Sequence, residues 1–251
     1  MRLGLCLAGG GAKGAFEAGV IYGLYERNLK FDVIAGTSIG AINGYYIYTE
    51  NVNNLKDMWI NIQIIGENAI KIVDNTVDNS LAIDILKSLK NNSNSKRAFY
   101  VNYVNINNSI MTEKVVDISK LSYEAGLEAI KYSSLLPFRP SKDLKPSDQF
   151  KKDLVEGLYD GYNLDGGMLN NTLLKPLLDE NVDKIIIITM NFDFELPKYI
   201  KSSYKKENII IIKPDKAFEK NATLNFNGEF CKQIFNDGYE IAKRLTINIY
   251  N

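Results

Sequence analysis

The sequence predicts an α/β fold in three layers, with a mostly parallel central sheet and helices on both of its faces. Short apolar runs, typical of strands that are buried on both faces, recur along the chain. Helical apolar periodicity follows the first two of these runs. Glycine-rich turns join those two strands to the helices that come next, which is the order expected for a parallel sheet with crossover helices.

The first two strand–helix units lie close to the amino terminus. Residues 3–8 form the first apolar run, and three glycines at 9–11 break it. From residue 15 a helix is predicted, because apolar residues recur every four positions at Phe16, Val20 and Leu24. Residues 31–35 form the second predicted strand, and the helix after Ser38 has apolar residues at Ile39, Ile42, Tyr46 and Ile47.

Residues 52–95 depart from this pattern and predict an excursion from the sheet. They contain helical segments but are rich in asparagine, and they end in a run, NNSNS at 91–95, that predicts a mobile tip. Two interpretations remain open: the excursion covers an active site, or it is a peripheral addition without a role in it. With no repeat and no long linker, residues 1–251 are predicted to form one domain.

The rest of the chain continues the α/β pattern. Further strands are predicted at residues 99–106, 183–190 and 208–214. A helix that begins near Tyr123 is expected to end before Pro137, and an amphipathic helix over residues 230–245 closes the chain. The mixed charges of residues 142–152 predict a solvated loop.

Composition excludes several classes of function. The 251 residues include 30 basic and 30 acidic side chains and no histidine, which gives a formal net charge of +0. Without a basic stripe, nucleic acid is not an expected partner. Without histidine, a Ser-His-Asp triad and a histidine-containing zinc site are impossible, and the two cysteines lack metal-ligand spacing, so no metal is expected.

Cysteine usage and hydropathy predict the compartment. Cys6 and Cys231 lie far apart in apolar surroundings, which indicates reduced core residues rather than a disulfide. No apolar run approaches the roughly 20 residues of a membrane-spanning helix. The expected location is the cytoplasm, with a peripheral position on a membrane as the alternative.

A possible nucleophile follows the second strand. Gly36-Thr37-Ser38-Ile39-Gly40 matches G-x-S-x-G, the pattern of a nucleophile elbow, in which a sharp strand-to-helix turn projects a serine into a pocket. A serine hydroxyl reacts only when a base accepts its proton, and histidine usually does this. In this chain the base has to be Asp, Glu or Lys.

The glycine loop after the first strand has two interpretations. Gly9-Gly10-Gly11-Ala12-Lys13-Gly14 matches the dinucleotide pattern G-x-G-x-x-G, but the acidic residue expected at the end of the second strand is missing. A Walker A loop also fails, because Gly14 follows Lys13, so no nucleotide is expected. Free amides at such a loop suit an oxyanion hole equally well. Since both loops follow parallel strands, they are predicted to be neighbours in an acyl-transfer site.

Asp165 is the strongest candidate for the base. It precedes Gly166 and Gly167, which allow the chain to turn sharply and to project the carboxylate into a pocket. A carboxylate with a pKa of about 3.9 is a weak base, but burial beside a serine would raise the pKa. A direct pair of Ser38 and Asp165 is therefore predicted.

Taken in order, these motifs resemble the patatin-like phospholipase family. The matching segments are GGGAKG at 9–14, GTSIG at 36–40 and DGG at 165–167, with LSYEAGLEAIKYSSLLPFRP at 121–140 and the closing helix in support. That family is known for a Ser–Asp dyad without histidine. The resemblance implies that Ser38 is the nucleophile, Asp165 the proton acceptor, and Gly10 and Gly11 the oxyanion donors, with the Ile39 amide as a further donor. Lys13 would give local electrostatic support.

The resemblance implies a lipid acyl hydrolase of the phospholipase A or lysophospholipase type, which releases a free fatty acid and needs no cofactor. A thioesterase or short-chain esterase with the same dyad, a non-catalytic lipid-binding protein and a nucleotide-binding oxidoreductase are the alternatives. The expected partners are a lipid acyl ester and, transiently, a membrane or micelle surface. Leu135, Leu136 and Phe138 are candidates for that contact, although a core position suits them better.

Overall fold

The central feature of the fold is a mixed sheet, mostly of parallel strands, with helices on both sides. The computed structural model describes residues 1–62, 71–92 and 97–246. The strands are β1 (Leu3–Leu7), β2 (Val33–Thr37), β3 (Ile72–Val73), β4 (Thr76–Val77), β5 (Ala98–Asn107), β6 (Ile110–Asp117), β7 (Asn163–Asp165), β8 (Lys184–Ile188) and β9 (Ile209–Ile212). The helices are α1 (Gly14–Glu26), α2 (Ile39–Tyr48), α3 (Val52–Ile60), α4 (Ser80–Ser88), α5 (Tyr123–Ser133), α6 (Pro146–Val155), α7 (Lys175–Asp179), α8 (Lys198–Ser203) and α9 (Gly228–Arg244).

The strand order of the main sheet is β6-β5-β2-β1-β8-β9. Five of these strands run parallel to one another, in the order β5-β2-β1-β8-β9. Strands β6 and β7 pair antiparallel with β5. The predicted α/β class with a mostly parallel sheet is confirmed. The predicted strand at residues 3–8 is β1, the second is β2, and the strand predicted at residues 183–190 is β8.

The core lies on both faces of this sheet, because successive residues of each buried strand point to opposite sides. Leu5 and Leu7 face a large apolar cluster shared with α1, α2, α3 and α9. Cys6 faces a second cluster, which α7 and α8 cover. Cys6 and Cys231 are both buried and unpaired, as the sequence indicates. Among the helices of the described residues, none has the length and apolar character needed to cross a membrane.

The described parts of the excursion, residues 52–62 and 71–92, lie outside the main sheet. They contain α3, the two-stranded sheet of β3 and β4, and α4. Trp59 and Leu55 of α3 are buried against the main core, as are Ile83 and Leu86 of α4. Most of the predicted mobile tip lies outside the described residues, which resume at residue 97.

Two elements differ from the sequence predictions. Residues 142–152 were expected to form a solvated loop, but α6 begins at Pro146 and includes most of them. This helix was missed because the side chains it buries are polar: Gln149 donates a hydrogen bond to Asp153 (2.7 Å), which also pairs with Arg139 (2.7 Å). Strand β6 had no predicted counterpart, since it is an edge strand whose residues are exposed or half-buried.

Candidate active site

Ser38 occupies a tight turn between β2 and α2. Its backbone has φ 56° and ψ −124°, a conformation that is strained for a residue other than glycine. The turn is compact enough to exclude side chains on both sides: a Cβ on Gly36 would lie 2.5 Å from the Gly40 carbonyl oxygen, and one on Gly40 would lie 2.4 Å from the Leu7 carbonyl oxygen. The structure therefore has the shape of a nucleophile elbow at the predicted serine.

Strand pairing brings Asp165 to this turn. Along one edge of β5, Thr37 of β2 pairs with Asn102, and the next residue of β5, Tyr103, pairs with Asp165 of β7. Strands β2 and β7 thus pair with the same edge of β5, one after the other, because β6 pairs with its other edge. Ser38 directly follows Thr37, so the two candidate residues meet across a gap between strand ends.

The two side chains are in direct contact. Ser38 Oγ donates a hydrogen bond to Asp165 Oδ2 at 2.5 Å. The other carboxylate oxygen of Asp165 accepts a hydrogen bond from the Gly167 amide (2.8 Å), and the Asp165 amide donates to the Leu135 carbonyl (3.0 Å). These contacts leave one carboxylate oxygen for the serine and orient the carboxylate toward it.

Burial changes the acidity of Asp165. The residue is only 5% exposed, and this desolvation raises the pKa of its carboxyl to about 6, against the opposing effect of the hydrogen bonds from Ser38 and Gly167. No ion pair to Asp165 occurs within the described ranges. The carboxylate is therefore a stronger base than an exposed aspartate and is still ionised at neutral pH.

The glycine loop lies beside the elbow, as predicted for neighbouring parallel strands. A Cβ on Gly9 would lie 3.0 Å from Ser38 Cβ. Gly11 has φ 58°, and a Cβ there would lie 2.1 Å from the Thr223 carbonyl oxygen, so this position requires glycine. In the part of the chain that the structure describes, the amides of Gly10 and Gly11 have no hydrogen-bond acceptor. They are free to bind an oxyanion.

The first turn of α2 supplies a further free donor. The Ile39 amide also lacks an acceptor within the described residues, as is usual for the first turn of a helix. Gly14, the first residue of α1, packs closely on this turn: a Cβ there would lie 2.4 Å from Ile39 Cγ1. All of the predicted glycine-loop and elbow residues are thus brought together around Ser38.

Lys13 is half-buried beside the same loop and lines the cavity at Ser38. Burial lowers the pKa of its ammonium group. No carboxylate pairs with Lys13 in the described ranges. Lys13 thus lies near the glycine loop, and its role in local electrostatic support stays a prediction.

Sequence reasoning missed the residues that hold this arrangement in place. Ser133, at the end of α5, is fully buried and accepts a hydrogen bond from the Ser38 amide at 2.9 Å. Asn171 fixes the glycine loop: its carbonyl accepts from the Gly9 amide (3.2 Å), and its side-chain amide donates to the Gly9 carbonyl (3.1 Å). The only available signals were the serine pair at 133–134 and the asparagine pair at 170–171 next to motifs already recognised.

A polar network behind the dyad joins β5 to the loop after Asp165. Asn102 accepts a hydrogen bond from Thr37 Oγ1 (2.8 Å) and donates to Glu113 (2.9 Å) and to the Asn170 carbonyl (2.9 Å). Asn170 in turn donates to the Glu113 carboxylate at 3.0 Å. The sequence signal for this network was an asparagine, Asn102, within the strand predicted at residues 99–106, and the structure shows that it is fully buried.

A second buried hydrogen-bond network joins the beginning of α1 to α2 and α3. The Asn43 side-chain amide on α2 donates to the Gly14 carbonyl (3.0 Å) and to Glu17 (2.9 Å) on α1, and Trp59 of α3 donates to the Asn43 side-chain oxygen (3.0 Å). Burial raises the pKa of Glu17 well above its usual range. The excursion thus contributes directly to the support of the site through Trp59.

Ser38 and Asp165 open into a cavity of about 460 Å³. Polar groups of the glycine loop and the dyad line one part of it. The excursion lines another part with the apolar side chains of Met58, Ile62, Val77, Leu81, Ala82 and Ile85. This lining favours the interpretation that the excursion covers the site. Leu136 also lines the cavity, whereas Leu135 and Phe138 do not; all three are half-buried.

A family model shows the class of protein. The model described as "Patatin-like phospholipase" matches residues 5–178, which is more than half of the chain and includes both the elbow and Asp165. The chain therefore belongs to the patatin-like phospholipase family, and this membership supports the hydrolysis of lipid esters.

Individual relatives agree with this family. The chain is 55% identical over 42 residues to lysophospholipase nte1 of Aspergillus terreus, a match of 17% of this chain and 3% of that protein. It is 26% identical over 203 residues to lysophospholipase NTE1 of Cryptococcus neoformans, a match of 74% of this chain and 11% of that protein. The chain thus spans only a small part of these relatives' length.

A solved structure agrees with the fold. The type III effector protein ExoU has a TM-score of 0.50 to this chain at 12% identity, with 96% of this chain and 52% of ExoU covered. At this level of identity, the likeness concerns the fold alone.

Proposed function

We propose that this protein hydrolyses carboxylic esters of lipids, with Ser38 as the nucleophile and Asp165 as the proton acceptor. One observation supports this above the others: within a patatin-like chain, the serine of a strained elbow donates a 2.5 Å hydrogen bond to a buried carboxylate. The pair lies at the edge of a cavity with apolar walls, which suits an ester that has a long hydrocarbon part.

In the first half of the reaction, Ser38 Oγ attacks the ester carbonyl carbon while Asp165 Oδ2 accepts the hydroxyl proton. The carbonyl oxygen becomes an oxyanion, and the free amides of Gly10, Gly11 and Ile39 are the groups that would donate to it. When the tetrahedral intermediate collapses, the ester C–O bond breaks. The leaving alkoxide takes the proton from Asp165, and an acyl-serine remains.

In the second half, a water molecule attacks the acyl-serine and gives one proton to Asp165. Collapse of this intermediate breaks the bond between the acyl carbon and Ser38 Oγ. The proton on Asp165 returns to Ser38 Oγ, so the free fatty acid leaves and the starting state is restored. A carboxyl with a pKa of about 6 suits both roles, since it accepts a proton at neutral pH and releases it readily.

The relatives favour a lysophospholipid as the substrate. Two proteins similar to this chain are named lysophospholipases, so we extend that activity to this chain as part of the proposal. We also propose that residues 1–251 act as one patatin-like domain that contacts a membrane or micelle transiently. The exposure of Leu81 supports such contact, because this apolar residue lines the cavity and is 51% exposed.

The test is hydrolysis of a lysophospholipid and of p-nitrophenyl esters by the wild type, Ser38→Ala and Asp165→Asn. We expect activity in the wild type and a loss of at least about a thousandfold in each variant, since both groups act in every step. Asp143→Asn, at an exposed position, is the matched control and should retain full activity. Activity that survives in Asp165→Asn would remove the proposed base, and a wild type that is inert but binds lipid would favour a non-catalytic role.

A further inference from the structure

The cavity at Ser38 follows one side of α2. Three residues of this helix line it, Ile39, Ile42 and Tyr46, and their spacing of three and four positions places them on one helix face. Because α2 begins directly after the nucleophile, this face starts at the reacting atoms and leads away from them. An acyl group attached to Ser38 has an apolar surface beside it along the helix.

The excursion supplies another part of the cavity wall. Met58 of α3 and Ile62 lie on it, and Leu81, Ala82 and Ile85 of α4 continue it. Two polar residues of the excursion also line the cavity. Asp78 accepts a hydrogen bond from the Ser80 amide (3.0 Å), and Asn79 donates to Ser134 Oγ (2.8 Å), but the buried side-chain oxygen of Asn79 has no partner among the described residues. Apart from these two residues, the excursion presents apolar groups to a hydrocarbon chain in the cavity.

Tyr46 is the cavity residue that lies farthest along α2 from the nucleophile. At the helical rise of about 1.5 Å per residue, it is about 10 Å beyond Ile39. Its side chain is 1% exposed, and its hydroxyl has no hydrogen-bond partner among the described residues. Its bulky ring is thus the last of the cavity-lining side chains along this helix face.

We propose that this cavity takes one acyl chain of medium length, about ten to twelve carbons, and that Tyr46 sets this limit. A bilayer core of about 30 Å holds two layers of chains with about 16 to 18 carbons each, so about 10 Å accommodates roughly two thirds of such a chain. This inference rests on the proposed role of Ser38 as nucleophile, and it adds the substrate's acyl length and the residue that selects it.

The expected length dependence follows from burial. Each methylene that enters the cavity is removed from water. This burial corresponds to a gain of about fourfold in the second-order rate constant for the reaction of free enzyme with an acyl substrate or probe. The gain stops where the chain reaches Tyr46, because further carbons must bend back or remain in water. The rate should therefore rise from four to about ten or twelve carbons and then level off or fall.

The probes for this test are alkyl fluorophosphonates with 4 to 16 carbons, used below their micelle concentrations. Such a probe phosphonylates Ser38 Oγ: the P–O bond forms as the P–F bond breaks, fluoride leaves, and Asp165 receives the serine proton. Intact-mass spectrometry gives the second-order rate of labelling for each chain length. Because a single covalent event is measured, turnover and substrate micelles do not affect the result.

Two variants should move the optimum in opposite directions. Tyr46→Leu shortens the side chain at the limit, so the optimum should move to longer chains by about two carbons. Ala82→Phe adds a ring to the α4 wall, so chains of ten or more carbons should lose about tenfold or more, while four-carbon probes should lose much less. Ser88→Phe, at an exposed position of the same helix, is the matched control and should keep the wild-type profile.

The outcomes separate this inference from the proposed function. If no probe labels Ser38 in the folded wild type, the nucleophile assignment itself fails. If Ser38 is labelled at rates that do not depend on chain length, or if the optimum remains in place in folded Tyr46→Leu, the acyl-length role of Tyr46 is wrong and the nucleophile stands. If folded Ala82→Phe keeps the wild-type profile, the acyl chain does not lie in this cavity. Thermal midpoints of the two variants identify loss of folding.

Discussion

Ser133 should be necessary for a reactive Ser38. The Ser38 amide donates to Ser133 Oγ at 2.9 Å, and both residues are buried. Since Ser38 is held at φ 56°, a conformation that costs free energy, the surrounding structure has to fix it. Ser133 is the side chain that accepts from the amide of the proposed nucleophile, and Ser133→Ala removes this contact without changing Ser38 or Asp165.

The size of the effect follows from the lost acceptor. A buried amide left without a partner costs about 1–3 kcal/mol. If the elbow keeps its conformation, this cost appears wholly in the free energy of unfolding. If the elbow relaxes in the native state, up to the same amount is lost from the reactive conformation, which lowers the rate by about 5- to 150-fold. We expect most of the cost in the rate, because relaxation also relieves the strain at Ser38.

The assay measures both quantities. Labelling of Ser38 by a four-carbon fluorophosphonate reports the reactivity of the serine, and urea unfolding reports stability. Ser133→Thr restores a hydroxyl and should recover much of the rate. Ser122→Ala is the control: it removes the N-cap of the same helix, where Ser122 Oγ accepts from the Ala125 amide, so it should cost about 1 kcal/mol of stability with no loss of labelling.

Two results would contradict this reasoning. If Ser133→Ala is destabilised but is labelled at the wild-type rate, Ser133 has only a structural role. If Ser122→Ala loses reactivity in proportion to its stability, the rate reports general destabilisation rather than the elbow.

Three further predictions concern the dyad and the glycine loop. Labelling should fall about tenfold per pH unit below about pH 6, because Asp165 must be ionised to accept the proton; a pH-independent rate would exclude it as the base. Because burial raises the pKa of this carboxyl, its ionisation lowers the stability of the wild type as pH rises. In urea unfolding, the stability of Asp165→Asn relative to wild type should therefore increase by about 2 kcal/mol between pH 4.5 and pH 8. Gly11→Ala should abolish labelling, since its Cβ would meet the Thr223 carbonyl at 2.1 Å; full labelling would mean that the loop adapts.

The parts of the site that follow strands were predictable from sequence. A loop at the carboxyl end of a buried parallel strand must lie at one edge of the sheet, so the apolar runs before Gly9 and Gly36 were enough to place both loops together. Asp165 was harder, because β7 has only three residues and pairs antiparallel. It was found through the glycines that follow it.

The supporting residues could not be predicted in this way. Ser133, Asn171 and Asn102 reach the site through contacts between residues far apart in sequence, and apolar periodicity carries no information about such pairs. The same reason applies to α6, where an ion pair and a buried glutamine replace the apolar face that sequence analysis detects.

The absence of histidine raises the question of how a carboxylate would replace it in the proposed dyad. Histidine suits a serine nucleophile because its pKa, about 6.5, is close to neutral pH. Burial raises the pKa of Asp165 to about 6, close to that value, while the hydrogen bonds from Ser38 and from the Gly167 amide prevent a still larger rise. A carboxylate also has a second oxygen, and here a backbone amide holds it, so the group is oriented without the third residue that a histidine requires. The same burial costs stability at neutral pH, because desolvation disfavours the ionised form of Asp165.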